Sequence, residues 1–235
     1  MNSQKKEISQ KKLVVFTAIS KGYDVLNELP DNFTPYSRIA FLEQKKISSR
    51  TWDICPLNNP FKDPCRNAKI YKVLPHLFFP NAEYSLWIDG RISIKFQHTL
   101  EFLIETYLRD SDICVFKHNL RDCIYAEALE CTRRNLDDKT VIKRQIKKYE
   151  QAGYPKNSGL SECSVILRRH TELVRKFNET WWAEISTGSK RDQLSFDYTA
   201  KITGLKVSYF PGNLRSPNGL FERGEHRKNF FDWLW

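Results

Sequence analysis

Alternation is the feature that most constrains the fold. Short apolar runs rich in β-branched and aromatic residues recur along the chain, and stretches with helical apolar spacing lie between them. Leu13–Ile19 (LVVFTAI) reads as a buried first strand, and Ser20-Lys21-Gly22-Tyr23-Asp24 reads as the turn that ends it. Residues 38–42 and 51–55 read as the next two strands. Residues 66–77 carry Ile70, Val73, Leu74 and Leu77 at helical spacing, with Pro75 set to kink or end the helix. Then come a strand at Tyr84–Ile88, a helix at 96–108, a strand at 112–116 and a long charged helical stretch at 122–151. A turn-rich loop at 153–161 leads to a strand at 163–167, helices at 172–185 and 191–201, a strand at 205–210 and a loop-like tail. This order predicts an α/β fold: a mostly parallel, Rossmann-like sheet flanked by helices on both faces. Neither an internal repeat nor a linker interrupts residues 13–235, which read as a single domain after a flexible basic tail at 1–12.

Forty per cent apolar and 13 per cent aromatic residues supply a core without disulfide staples. The six cysteines form neither a CxxC pair nor a zinc-finger spacing, so they read as reduced thiols of a cytoplasmic protein. The first twelve residues are polar and basic, unlike a signal peptide, and no apolar run approaches the length of a membrane span. The net charge of +10 favours an anionic partner, although a solvated basic surface explains it equally well.

The chemistry centres on YSLWIDGR, where an apolar strand ends on Asp89, Gly90 and Arg91. Ligands of open α/β sheets bind at the carboxyl ends of the strands. There Asp89 can coordinate a divalent cation bridging to a diphosphate, Gly90 admits a close backbone approach, and Arg91 offers a planar fork to phosphate. The plainer reading is a turn, for which Asp-Gly is a common pair. Near residue 188 one helix ends and another begins, with Ser189 as a cap and Asp192 three residues later. Asp192 therefore reads either as a capping residue or as a carboxylate that bonds a sugar hydroxyl or takes its proton. Glu162 stands just ahead of an apolar strand, behind the small residues Ser158, Gly159 and Ser161, which suits a loop around a polar substrate.

Together these stretches resemble a glycosyltransferase-like family, once catalogued as a domain of unknown function, with plant mucilage-related and bacterial members. The matching positions are Lys69, Lys72 and Pro75-His76 ahead of Leu77 to Pro80; Trp87 to Gly90; Arg121, Cys123, Tyr125, Glu127 and Ala128; the stretch from Gly159 to His170; and Arg191 to Phe196. The resemblance covers roughly residues 60–200 and implies a GT-A-like fold. It also implies a glycosyltransferase, moving sugar from a nucleotide-diphosphate donor, UDP-sugar favoured, to a glycan or lipid-linked acceptor in cell-surface polysaccharide synthesis. Most metal-dependent GT-A enzymes carry Asp-x-Asp, whereas Arg91 replaces the second acid here. Either a manganese or magnesium ion on Asp89 takes a remote ligand, for which the late histidine of the glycogenin-like branch suggests His226, or arginine and lysine take its place.

On this reading the departing diphosphate meets a metal on Asp89 together with Arg91, Arg66 and Lys69, the last two sharing a helix face. His118 is placed near the diphosphate, with a capping or core role as the alternative. Asp192, Gln193 and Glu162 bind sugar or acceptor; for an inverting transfer the base is Asp192 first, then Glu162. The rival is a nucleic-acid-binding protein or nuclease using the basic stretch 139–148, yet Ile142, Ile146 and Tyr149 share one helical face there, and no Gly-rich phosphate loop or RNA-binding signature appears, so no nucleic acid is expected. The aromatic tail at 229–235 after Arg227 and Lys228 suits either packing on the core or a peripheral contact with the inner face of a membrane. Lipid-amide hydrolysis lacks a Gly-x-Ser-x-Gly elbow and a zinc-type histidine cluster.

Overall fold

The computed structural model describes residues 12–43, 47–96 and 98–225. His226 and the aromatic tail lie outside these residues, as does nearly all of the basic tail at 1–12. The strands are β1 (Leu13–Ile19), β2 (Ser37–Leu42), β3 (Asp53–Pro56), β4 (Tyr84–Ile88), β5 (Ile92–Ile94), β6 (Ile113–Lys117), β7 (Ser161–Arg169), β8 (Val207–Tyr209) and β9 (Phe221–Arg223). The helices are α1 (Pro64–Val73), α2 (Pro75–Phe78), α3 (Leu100–Tyr107), α4 (Ile124–Arg133), α5 (Lys139–Gln151), α6 (Glu172–Thr187) and α7 (Gln193–Thr203).

Seven strands form one sheet in the order β3-β2-β1-β4-β7-β6-β8, and β5 pairs with β9 in a small second sheet. All neighbours in the large sheet are parallel except at β7, which runs antiparallel to both β4 and β6. That reversal has a functional consequence. The carboxyl ends of β1, β4 and β6 and the amino end of β7 all reach the same edge of the sheet.

Residues alternate between the two faces of each strand, so each face buries its own core. On one face Leu86, Ile88, Val165 and Leu167 pack with α3 and with Phe96, Phe210 and Phe221. On the other, Phe16, Trp87 and Ile166 pack with Tyr71 of α1, Trp181 of α6 and Phe196 of α7.

Several boundaries differ from the sequence reading. The long stretch at 122–151 is two helices: Asn135 adopts φ 50° after α4, and the Asp138 carboxylate accepts the Thr140 and Val141 N–H groups to start α5. The 66–77 helix begins at Pro64, capped by Asp63, and breaks before Pro75. Strand β7 is longer than its apolar run, so Glu162 is its second residue rather than part of a loop. Ser189 does not cap α7: its hydroxyl donates to Asp137, and Asp192 is itself the cap residue. The segment after β8 contributes β9 rather than only loop.

Candidate active site

Asp89 follows β4 directly, and strand period places it on the same face as Trp87. The Trp87 indole N–H donates to Asp89 Oδ1 at 2.8 Å. The Asp89 N–H donates to the Ser164 carbonyl of β7, and the Asp89 carbonyl accepts from Ile92 N–H, closing the turn into β5. Gly90 is required by the protein's own packing: a Cβ there would lie 2.4 Å from the Val25 carbonyl oxygen and 2.6 Å from Ile19 Cδ1. The loop after β1 is thus held flat against the end of β4, which brings Asp24 to Asp89 and Arg91. Arg91 Nε lies 3.9 Å from Asp24 Oδ2. Burial, opposed by Arg91 and reinforced by the Asp89 charge, pushes the Asp24 carboxyl up to about 6.

Helix α1 faces this edge with Lys69 and Lys72, one turn apart. Lys72 Nζ sits 2.7 Å from Asp192 Oδ2 and 3.5 Å from Asp89 Oδ1. Lys69 Nζ sits 2.8 Å from Asp192 Oδ1. Burial by itself would raise the Asp192 carboxyl, but the two ammonium groups override it and hold the group far below the usual carboxylate range. A carboxylate so stabilised is a weak proton acceptor. This argues against the expectation that Asp192 is the preferred base: Asp192 is buried, starts α7 and pairs with two lysines, one of which faces Asp89.

Arg66 is engaged elsewhere. Its guanidinium pairs with Asp63 at 2.7 Å and donates to the carbonyls of Ile185 and Gly188, so it closes the end of α6 instead of facing Asp89. Gln193 donates to the Ser161 carbonyl at 3.3 Å and holds the start of β7. His118 accepts the Leu120 and Arg121 N–H groups at Nδ1, which is the capping role. Burial lowers its pKa, against the nearby Glu127 and Glu162 charges. Glu162 has His118 on one side and Arg215 and Arg223 on the other, and its Oε1 accepts the Ser164 hydroxyl at 2.5 Å.

The TOD1/MUCI70 glycosyltransferase-like domain model matches residues 39–211, most of the chain, including Lys69, Lys72, Asp89, Arg91, Glu162 and Asp192. The chain belongs to this family. It is 31% identical over 175 residues to a probable hexosyltransferase MUCI70 of Arabidopsis thaliana, covering 68% of this chain and 30% of the relative. It is 24% identical over 158 residues to the alkaline ceramidase TOD1 of the same plant, covering 63% and 34%. The chain thus spans about a third of the length of these curated relatives. Among solved structures, core-mannan synthase A of Aspergillus fumigatus, in a Mn/GDP form, aligns over 97% of this chain and 82% of its own, with TM-score 0.51 and 10% identity. The fold of this TOD1/MUCI70 domain is that of GT-A glycosyltransferases.

The GT-A fold implies a divalent metal, and the donor set passes a simple test. Magnesium-type sites use one or two carboxylates, with waters and substrate phosphates completing the shell. Asp24 and Asp89 supply two carboxylates, close enough that the Asp89 charge raises the proton affinity of Asp24, a repulsion that a dication would relieve. Among the described residues no cluster of three or more metal-ligating side chains exists; water and substrate would have to complete the shell.

Three participants in this TOD1/MUCI70 site were given no chemical role by the sequence reading. Lys72 was legible only as a motif residue, although its spacing from Lys69 signals a shared face. Asp24 was read as part of a turn, without a carboxylate role. Glu127, buried in α4, takes Arg121 Nε at 2.5 Å and helps enclose Arg191 beside Asp192.

Proposed function

We propose that this domain transfers a sugar from a nucleotide-diphosphate donor to an acceptor hydroxyl. The observation that carries the reading is the convergence of Asp89, Asp24, Arg91 and Lys72 on one sheet edge, in a fold whose ligands bind there. Tyr23, 57% exposed in the turn after β1, offers an aromatic face to a nucleobase. Asp24 and Asp89 would hold the divalent ion, which supplies Lewis-acid stabilisation of the diphosphate when bound. Arg91 and Lys72 add fixed positive charge where the leaving group develops its own. For an inverting transfer, Glu162 is the base we favour, because among the described residues no ammonium group pairs with it as Lys69 and Lys72 pair with Asp192.

The two curated relatives carry different named activities, and the GT-A fold supports the transferase of the pair. A glycan or lipid-linked acceptor in cell-surface polysaccharide synthesis fits the same reading. Six unpaired cysteines support a cytoplasmic setting. Calorimetric titration of UDP, GDP and CMP, with and without manganese, tests the proposal. Binding of one nucleotide, strengthened by manganese and lost in Asp89→Asn, is expected. No binding of any of the three contradicts the reading and brings nucleic acid forward.

A further inference from the structure

Beyond Arg91 the chain builds a second recess, one that Asp192 does not line. A cavity of about 710 Å³ opens between the β5–β9 sheet and the loop at 213–220. That volume lies within the roughly 300–1,000 Å³ typical of small-molecule sites. Its apolar floor includes Leu214 and Phe221, both buried. Its walls carry Arg91, Lys95, Arg215 and Arg223.

The recess is preformed. Asn218 pins its loop, donating to the carbonyls of Asn213 and Phe221 and accepting the N–H groups of Leu220 and Phe221. Phe221 locks β9 against Phe96, Phe116 and Phe210, with ring centroids 5.5–5.9 Å apart.

The charge on its walls is unbalanced. The walls also carry Glu222 and Glu225; Glu222 pairs with Lys95 at 2.5 Å, so three guanidinium groups face one remaining carboxylate. Arg91 is 7% exposed, and its Nε has no hydrogen-bond acceptor; a buried Nη1 of Arg223 also has none. Burial and mutual repulsion lower the proton affinity of Arg215 and Arg223, and Glu162 is the acid set against both. Guanidinium groups gathered this way present paired N–H donors to a carboxylate or phosphate. Asp24, Asp89 and Glu162 all lie outside the cavity lining and all act on Arg223, but Glu162, the proposed base, is the acid that also acts on Arg215, which suits an acceptor rather than the donor diphosphate.

We propose that this cavity is the acceptor subsite and that it takes an acceptor bearing a carboxylate or phosphate group. The acceptor role rests on the glycosyl-transfer reading; the anion selectivity stands on the cavity alone.

The test titrates sodium D-glucuronate, glycerol 3-phosphate and D-glucose into the full chain at low salt, without nucleotide. Protein variants are wild type, Arg215→Gln and Arg215→Gln/Arg223→Gln, with thermal unfolding to check each fold. At least one anionic probe should bind about tenfold or more tightly than D-glucose, and Arg215→Gln should remove most of that preference. UDP, GDP and CMP titrations should be unchanged by Arg215→Gln. Preference for glucuronate identifies an acidic glycan, and preference for glycerol 3-phosphate a phosphate-bearing acceptor; either supports the proposal. Equal or absent binding of all three probes overturns it. So does weakened nucleotide binding in Arg215→Gln, which would assign the cavity to the donor diphosphate. Anion binding with no nucleotide binding in any variant would overturn the acceptor role through failure of the transfer reading, and leave the anion site itself standing.

Discussion

Lys72 shows how chemistry and stability share residues here. Its ammonium group is 4% exposed by residue and bridges Asp192 to Asp89. Removing the Asp192 charge takes the ion-pair partner from Lys69 and leaves Lys72 the longer contact with Asp89, and breaking such buried pairs costs about 3–5 kcal/mol. Asp192→Asn should therefore lower unfolding free energy by about that amount in denaturant titration; a loss below about 1 kcal/mol would contradict the bridge. Asp197 works in the opposite sense. Its carboxylate accepts the Ser161 N–H and hydroxyl at 2.8 and 2.6 Å, yet burial pushes its pKa up to about 6. The folded state then binds more protons than the unfolded chain between about pH 4 and 6. Its contribution to stability is present below that window and is lost as pH rises through about 6. Asp197→Asn should flatten this part of the stability–pH curve, as urea midpoints from pH 4 to 7 would reveal. The strand-end position of Asp89 was legible because strand period and a terminal Asp-Gly are local signals. The role of Asp192 was not, because its two lysines lie 120 or more residues away in sequence and only the packing of α1 against α6 and α7 unites them.

Elements with strong local signals read cleanly. The apolar runs of β1 and β4 appear with their expected bounds, and the Ile142, Gln145 and Tyr149 face of α5 is buried. That burial removes much of the case for α5 as a nucleic-acid contact. Elements defined by distant pairing did not read. β5 and β9 are three residues each, too short for alternation to register, and they pair across more than 120 residues. Their attachment depends on Phe221, which is 2% exposed among Phe96, Phe116 and Phe210. Phe221→Ala should cost about 3–5 kcal/mol. It should also abolish anion selectivity in the cavity, because Arg223 would lose its anchored strand. A variant with near-wild-type unfolding free energy would show that β9 is not held in this way.

At the scale of the molecule, a single reversed strand organises the edge. β7 runs against β4 and β6, so Glu162 begins where Asp89 and His118 end. The mostly parallel sheet was legible from the order of elements; the reversal was not, since an apolar run carries no sign of its direction. The net charge of +10 now has local content in the arginines and lysines facing this edge and the adjoining cavity. The central claim is that the Asp89 edge engages a nucleotide-diphosphate sugar. The most direct measurement follows release of nucleoside diphosphate from a panel of nucleotide sugars, comparing wild type with Asp89→Asn. Asp89 is partly exposed, and the Trp87 indole and Lys72 ammonium that reach its carboxylate can also donate to an amide oxygen, so the variant should remain folded. The account predicts that wild type turns over one donor class and that Asp89→Asn loses at least about a hundredfold in rate. A variant within a few-fold of wild type, or a wild type that releases nothing from any donor, would contradict it.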